Sequence, residues 1–82
     1  MYVITEHEIS DPTLFWQQAS GTFTHPPLGI QLRSAIVLER ETLCHCMWEG
    51  ESLQAIREYL EPALGGASTN TYAEVDPYRA IG

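Results

Sequence analysis

The segment Thr42–Gly50 reads TLCHCMWEG and gathers soft donors: both cysteines of the chain, one of its three histidines and one of its two tryptophans. Thiolates and imidazoles suit zinc, nickel or copper rather than magnesium or calcium. If the segment is a strand, Cys44 and Cys46 share one face and His45 points to the other. The two cysteine Cα atoms then lie ~6.5–7 Å apart, at the limit of what a relaxed disulfide spans. An internal redox bridge is therefore disfavoured, whereas two thiols on one face can lean toward a shared ion. Further ligands must come from another strand or subunit, and His7, in YVITEHEI, is the candidate. The proposed ligand set is His7, Cys44, His45 and Cys46, with Ni²⁺ or Zn²⁺ as the ion and Glu6 or Glu8 available as an oxygen ligand. The competing interpretation is packing: a free cysteine behaves as a small hydrophobe, and a strand histidine often bonds a carbonyl or a glutamate.

A second grouping suggests a different chemistry. Arg33 is one of only four cationic residues. With His7, Trp48 and Tyr72 it would line a pocket between sheet and helices for a small-molecule ligand bearing an anionic group. Phe15 and Trp16 would add apolar walls. Against this, the same aromatics can form the core, with Arg33 paired to a carboxylate. No Ser-His-Asp arrangement, phosphate loop or paired-carboxylate motif is visible, so no catalytic residue is assigned.

The elements that must position these residues follow from periodicity. In residues 2–9, Val3, Thr5, His7 and Ile9 alternate with Tyr2, Ile4, Glu6 and Glu8, as on a strand. Asp11 is a good N-cap and Pro12 suits a first helical position, so a short helix follows with Leu14, Phe15, Gln18 and Ala19 on one face. Gly21 is expected to end it, and Pro26-Pro27 to keep Ser20–Gly29 a loop. Ile30–Leu38 reads as a second strand. Glu39–Glu41 makes a tight polar turn into a third strand, Thr42–Glu49, completing a hairpin. After Gly50, Ser52 caps a helix whose Leu53, Ile56, Leu60 and Ala63 or Leu64 recur at helical spacing, with Pro62 ending or kinking it near Leu60. Gly65-Gly66 breaks the chain before a fourth strand, Thr69–Val75.

The order β-α-β-β-α-β predicts a single α+β domain over residues 1–82, with a ferredoxin-like four-stranded sheet, strands 1 and 3 central and parallel, and both helices on one face. Strand 2 is apolar on both sides, with Ile30, Leu32, Ile36 and Leu38 one way and Ala35 and Val37 the other. An 82-residue chain is too short to cover both sheet faces, which predicts a homodimer with the sheets packed face to face as a dimeric α+β barrel.

Eleven acidic residues against four arginines, for a net charge of −7, exclude phosphate-backbone recognition and argue against anionic membranes, so neither nucleic acid nor membrane is an expected partner. The strand pattern begins directly after Met1, with no basic segment leading into an apolar one. No secretory signal is therefore expected, and a cytoplasmic protein with reduced thiols is.

Several stretches together resemble a group of small bacterial proteins, domains of unknown function with the ferredoxin-like dimeric barrel fold: EHEI (Glu6–Ile9), IQLRSAIVL leading into TLCHCMWEG, AIREYL on the second helix, and AEVDP near the end. Cys46 before MWEG stands where that family carries a strand-3 cysteine. Arg33 and Ser34 stand where it carries a strand-2 histidine, and Tyr59 replaces the histidine of its helical IREH. One member of the family is described as nickel-binding, so the resemblance implies the barrel dimer and a nickel-type site near Cys46.

Overall fold

The computed structural model describes residues 1–38, 40 and 42–79. Strand β1 spans Tyr2–Ile9, helix α1 Pro12–Thr24, β2 Gln31–Val37, β3 Leu43–Glu49, α2 Leu53–Leu64 and β4 Ser68–Glu74. The sheet order is β2-β3-β1-β4. This is the α+β, ferredoxin-like arrangement that the element order predicts. Part of the Glu39–Glu41 turn, namely Glu39 and Glu41, lies outside the described residues, as does the tail from Ala80.

The two central strands are antiparallel rather than parallel. The reason lies in the connections. Helix α1 carries the chain back so that β2 runs in the direction of β1, and the hairpin then reverses it once more into β3. The crossover makes β1 and β2 parallel, but they are separated by β3 and do not pair.

Helix α1 starts as its sequence dictates, with the Asp11 side chain accepting from the Leu14 N–H at 3.1 Å. It does not stop at Gly21. A glycine inside a helix costs only about 1 kcal/mol, and continuing to Thr24 seats Phe23 against Phe15, His7 and Trp48, with ring centroids 6.3, 6.3 and 5.7 Å away. Phe15 and Ala19 are buried as expected, whereas Gln18 is exposed. The Pro26-Pro27 pair then prevents any further turn.

Helix α2 is capped by Ser52, which accepts from the Ala55 N–H at 3.0 Å. It runs through Pro62 to Leu64. Proline in the last turn forfeits one ladder bond, but the turn is closed by Gly65 N–H to the Glu61 carbonyl at 2.9 Å, and Leu64 is fully buried. Gly50 lets α2 approach closely: a Cβ there would sit 2.7 Å from Cδ1 of Ile56. The Tyr59 hydroxyl donates to the Thr22 carbonyl at 2.7 Å and ties the helices together.

One core lies between helices and sheet, built on Val3, Phe15, Cys44, Cys46, Trp48, Ile56, Leu60 and Leu64. The other sheet face is open, and Tyr2, Ile4 and Ile36 are 39%, 39% and 58% exposed there. Strand β2 is not two simple alternating faces. Leu32 pairs with Trp48 and Ser34 with Met47, so Arg33 is an extra, bulged residue. The bulge shifts the alternation by one. Leu32 therefore joins Ala35 and Val37 on the helix side, and Ile36 lies on the open side.

Candidate functional site

The register decides which donors meet. His7 pairs with Cys44 and Thr5 with Cys46, while Glu6 pairs with His45. His7, Cys44 and Cys46 therefore share the helix-covered face, and His45 lies on the open face. A His7–His45 ligand pair is excluded by the strand alternation that separates them.

Both thiols are free and buried, at 0% and 2% exposure. Their sulfurs stand 3.7 Å apart, far longer than a disulfide bond. The hydrogen bond between the two sulfurs lowers the pKa of Cys44 against a smaller opposing effect of burial. The same bond, then burial, pushes the Cys46 thiol far up. The pair therefore gives up one proton more readily than the second.

His7 is fully buried. Its Nδ1 is 2.7 Å from Oδ1 of Asn70, and its Nε2 is 2.9 Å from Oγ1 of Thr5. Asn70 in turn donates from Nδ2 to Oε2 of Glu61 at 2.7 Å, and Ser68 Oγ is 2.6 Å from Asn70 Oδ1. Burial lowers the pKa of His7, with the Asn70 bond and the Glu61 charge opposing it less strongly. The ring is therefore neutral at pH 7. A hydrogen-bonded polar strip thus runs into the apolar core from Glu61 on α2, through Asn70 on β4, to His7 and Thr5 on β1, and these two residues lie opposite Cys44 and Cys46 of β3 in the register.

The strip was only partly foreseeable. His7, Cys44 and Cys46 stand out by type. Thr5, Asn70 and Glu61 carry no motif, and the only available signal for Thr5 and Asn70 is a polar residue at an inward position of an alternating strand. The donors are neighbours without forming a cage: among the described residues no three His, Cys, Asp or Glu side chains are grouped to hold an ion. Thr5 occupies the Nε2 side of His7, where an ion would have to bind. The thiols themselves fit a metal, because two thiolates at ~2.3 Å on a tetrahedral zinc stand ~3.75 Å apart.

His45 meets Glu6 across the open face, with Nε2 3.4 Å from Oε2. That distance is long for a hydrogen bond, and Nε2 has no other partner.

The predicted small-molecule grouping does not assemble within the chain. Arg33 sits at the exposed β2 bulge and donates to Glu49, with Nε 2.8 Å from Oε1. It lines a shallow cleft with Gly29, Gln31, Glu49, Gly50 and Glu51, which contains none of the other three residues. Trp48 is fully buried, in edge contact with Phe23 and Tyr59. Tyr72 is half-buried under the Arg57 guanidinium, 5.1 Å from its ring centroid. The aromatics of the set are thus spent on packing.

No family model, curated protein or solved structure matches the chain. No helix among the described residues is long and apolar enough to cross a membrane.

Proposed function

We propose that the protein binds a divalent transition metal, Zn²⁺ or Ni²⁺, on the helix-covered side of its central strands. Cys44 and Cys46 supply thiolates, and His7 supplies Nε2 in exchange for its bond to Thr5. The observation that carries this reading is the 3.7 Å separation of the two buried sulfurs, the spacing two thiolates adopt on one tetrahedral ion. The outer partner of His7 supports it as well, since a ligating histidine commonly donates its other ring N–H to an oxygen acceptor, and Asn70 provides one. His45 belongs to the opposite face and is not a ligand in this scheme. Free thiols of this kind fit a reducing compartment, which favours the cytoplasm.

Binding must release the thiol protons, so affinity falls as pH is lowered. The test is calorimetric titration of Zn²⁺ and Ni²⁺ into reduced, tag-free protein. A dissociation constant below about 100 μM is expected for at least one ion, weakened about tenfold or more in Cys46→Ser and His7→Ala and unchanged in His25→Ala. Wild type that binds neither ion, or His7→Ala and Cys46→Ser that bind like wild type, would rule the site out.

A homodimer formed through the open sheet face is a further part of the proposal. Tyr2, Ile4 and Ile36 are exposed there, and Met47 lies between them on β3, beside Ile4 and Ser34. Light scattering at micromolar concentration is expected to give about twice the 9.2 kDa chain mass; a single-chain mass removes the barrel.

A further inference from the structure

Whether His7 can present a bare Nε2 depends on which ring nitrogen holds its proton, and the polar strip fixes this in one direction. A carboxylate has no hydrogen to give, so of the two ends of the Asn70 amide only Nδ2 can face Glu61. A flipped amide would set Oδ1 2.7 Å from Oε2 of Glu61, two acceptors in contact with no proton between them. With Nδ2 toward Glu61, Oδ1 faces His7, so Nδ1, at 2.7 Å, must be the donor. The ring is fully buried and its two partners, Thr5 and Asn70, are uncharged, surroundings that favour the neutral form. Nε2 is then bare and accepts from the Thr5 hydroxyl at 2.9 Å. Ser68 does not decide the orientation alone, because it can turn its hydrogen to the Leu64 carbonyl 3.1 Å away.

We infer that Glu61 and Asn70 are positioning residues that hold His7 in its Nδ1-protonated tautomer, with the Nε2 lone pair directed toward Thr5. Glu61 does this from α2 without touching His7, through the amide of Asn70. The tautomer stands on the hydrogen-bond geometry and the burial of the ring. Its use in presenting a ligand to an ion rests on the metal reading above.

The experiment is two-bond ¹H–¹⁵N correlation of the imidazole rings in the metal-free, reduced 82-residue chain labelled at histidine. His25 and His45 act as internal controls. In wild type, His7 is expected to show a single neutral tautomer protonated at Nδ1. Glu61→Gln keeps the size of the side chain but can both donate and accept, so it lets the Asn70 amide turn. The Nε2-protonated form of His7 is then expected to rise several-fold while the control signals stay in place. An Nε2-protonated His7 in wild type would overturn the inference. So would a Glu61→Gln spectrum identical to wild type. Asn70→Leu, which removes the relay, provides a second variant: its His7 should lose the Nδ1 preference, and retention of that preference counts against the inference.

Zinc titration of the same samples separates this from the metal reading. Weakening by about tenfold in Glu61→Gln supports the positioning role at the ion, and equal affinity refutes that role. Wild type without zinc affinity ends the metal reading and leaves the tautomer result standing.

Discussion

On the helix-covered face of β1, Val3, Thr5, His7 and Ile9 are all buried, and the polar side chains among them are hydrogen-bonded. One residue along, on the open face, Ile4 is 39% exposed and Glu6 meets His45 in a partly exposed pair. The same strand thus serves two environments. On the covered side an unpaired polar group would cost about 1–3 kcal/mol, and the inward polar residues of β1, Thr5 and His7, are bonded in a strip that reaches the carboxylate of Glu61. On the open side Glu6 and His45 are 49% and 40% exposed at their side chains, and no comparable network forms. Extended polar order here is a product of burial, and this is why the candidate chemistry lies inside the core.

The largest effect expected from this contrast is in packing. Trp48→Ala removes the biggest fully buried side chain and should cost about 3–5 kcal/mol in urea unfolding. Ile36→Ala, on the open face, should change the stability of the isolated chain by about 0.5 kcal/mol or less. Equal losses at the two positions would break the comparison.

The next effect is in pH dependence. The pKa of His7 is lowered from 6.5 in the folded state, chiefly by burial. Between that lowered value and 6.5 the unfolded chain binds a proton that the folded chain refuses. Stability contributed by neutral His7 is therefore complete above pH 6.5 and is lost as pH falls toward the folded-state pKa. His7→Leu should be less stable throughout, because it leaves Thr5 and Asn70 short of a partner, but it should lack this slope. If wild type and variant lose stability in parallel from pH 7 to 5, His7 is not the buried neutral group described.

The smallest effect on the folded chain, and the one that sharpens the contrast most, is expected of Ile36→Asp. Its side chain already stands 58% exposed, so unfolding at concentrations where the chain is monomeric should shift little. Association should be abolished, because face-to-face packing would bury an unpaired charge. Light scattering and urea titration of the same sample distinguish the two.

Element order and the β1 alternation were legible because period-two burial leaves a strong signature in eight residues with no glycine or proline. The helix ends were not. Gly21 and Pro62 are local stop signals, and each was outweighed by packing two residues further on, of the partly buried Phe23 and the fully buried Leu64. The β2 faces were misread because a bulge has no mark in the sequence when the extra residue is an arginine rather than a glycine. The site was half legible. Cysteine and histidine announce themselves, but the register that joined His7 to the cysteines and sent His45 to the other face depends on pairing, which one strand alone does not encode. Tyr72 and Trp48 looked like pocket walls because aromatic residues look the same in a pocket as in a core.

The bulge at Arg33 has a consequence for the edge of the sheet. Strand β2 is the outermost strand on its side, and such strands offer unpaired amides and carbonyls to any extended chain that drifts past. The extra residue interrupts the even spacing of those groups and increases the local twist. It also places a charged, Glu49-tethered side chain in the middle of the strand. A second chain aligned along β2 would meet matching groups over only a few residues before falling out of step. The irregularity that obscured the strand's two faces therefore also guards this border against runaway stacking of chains into fibrils.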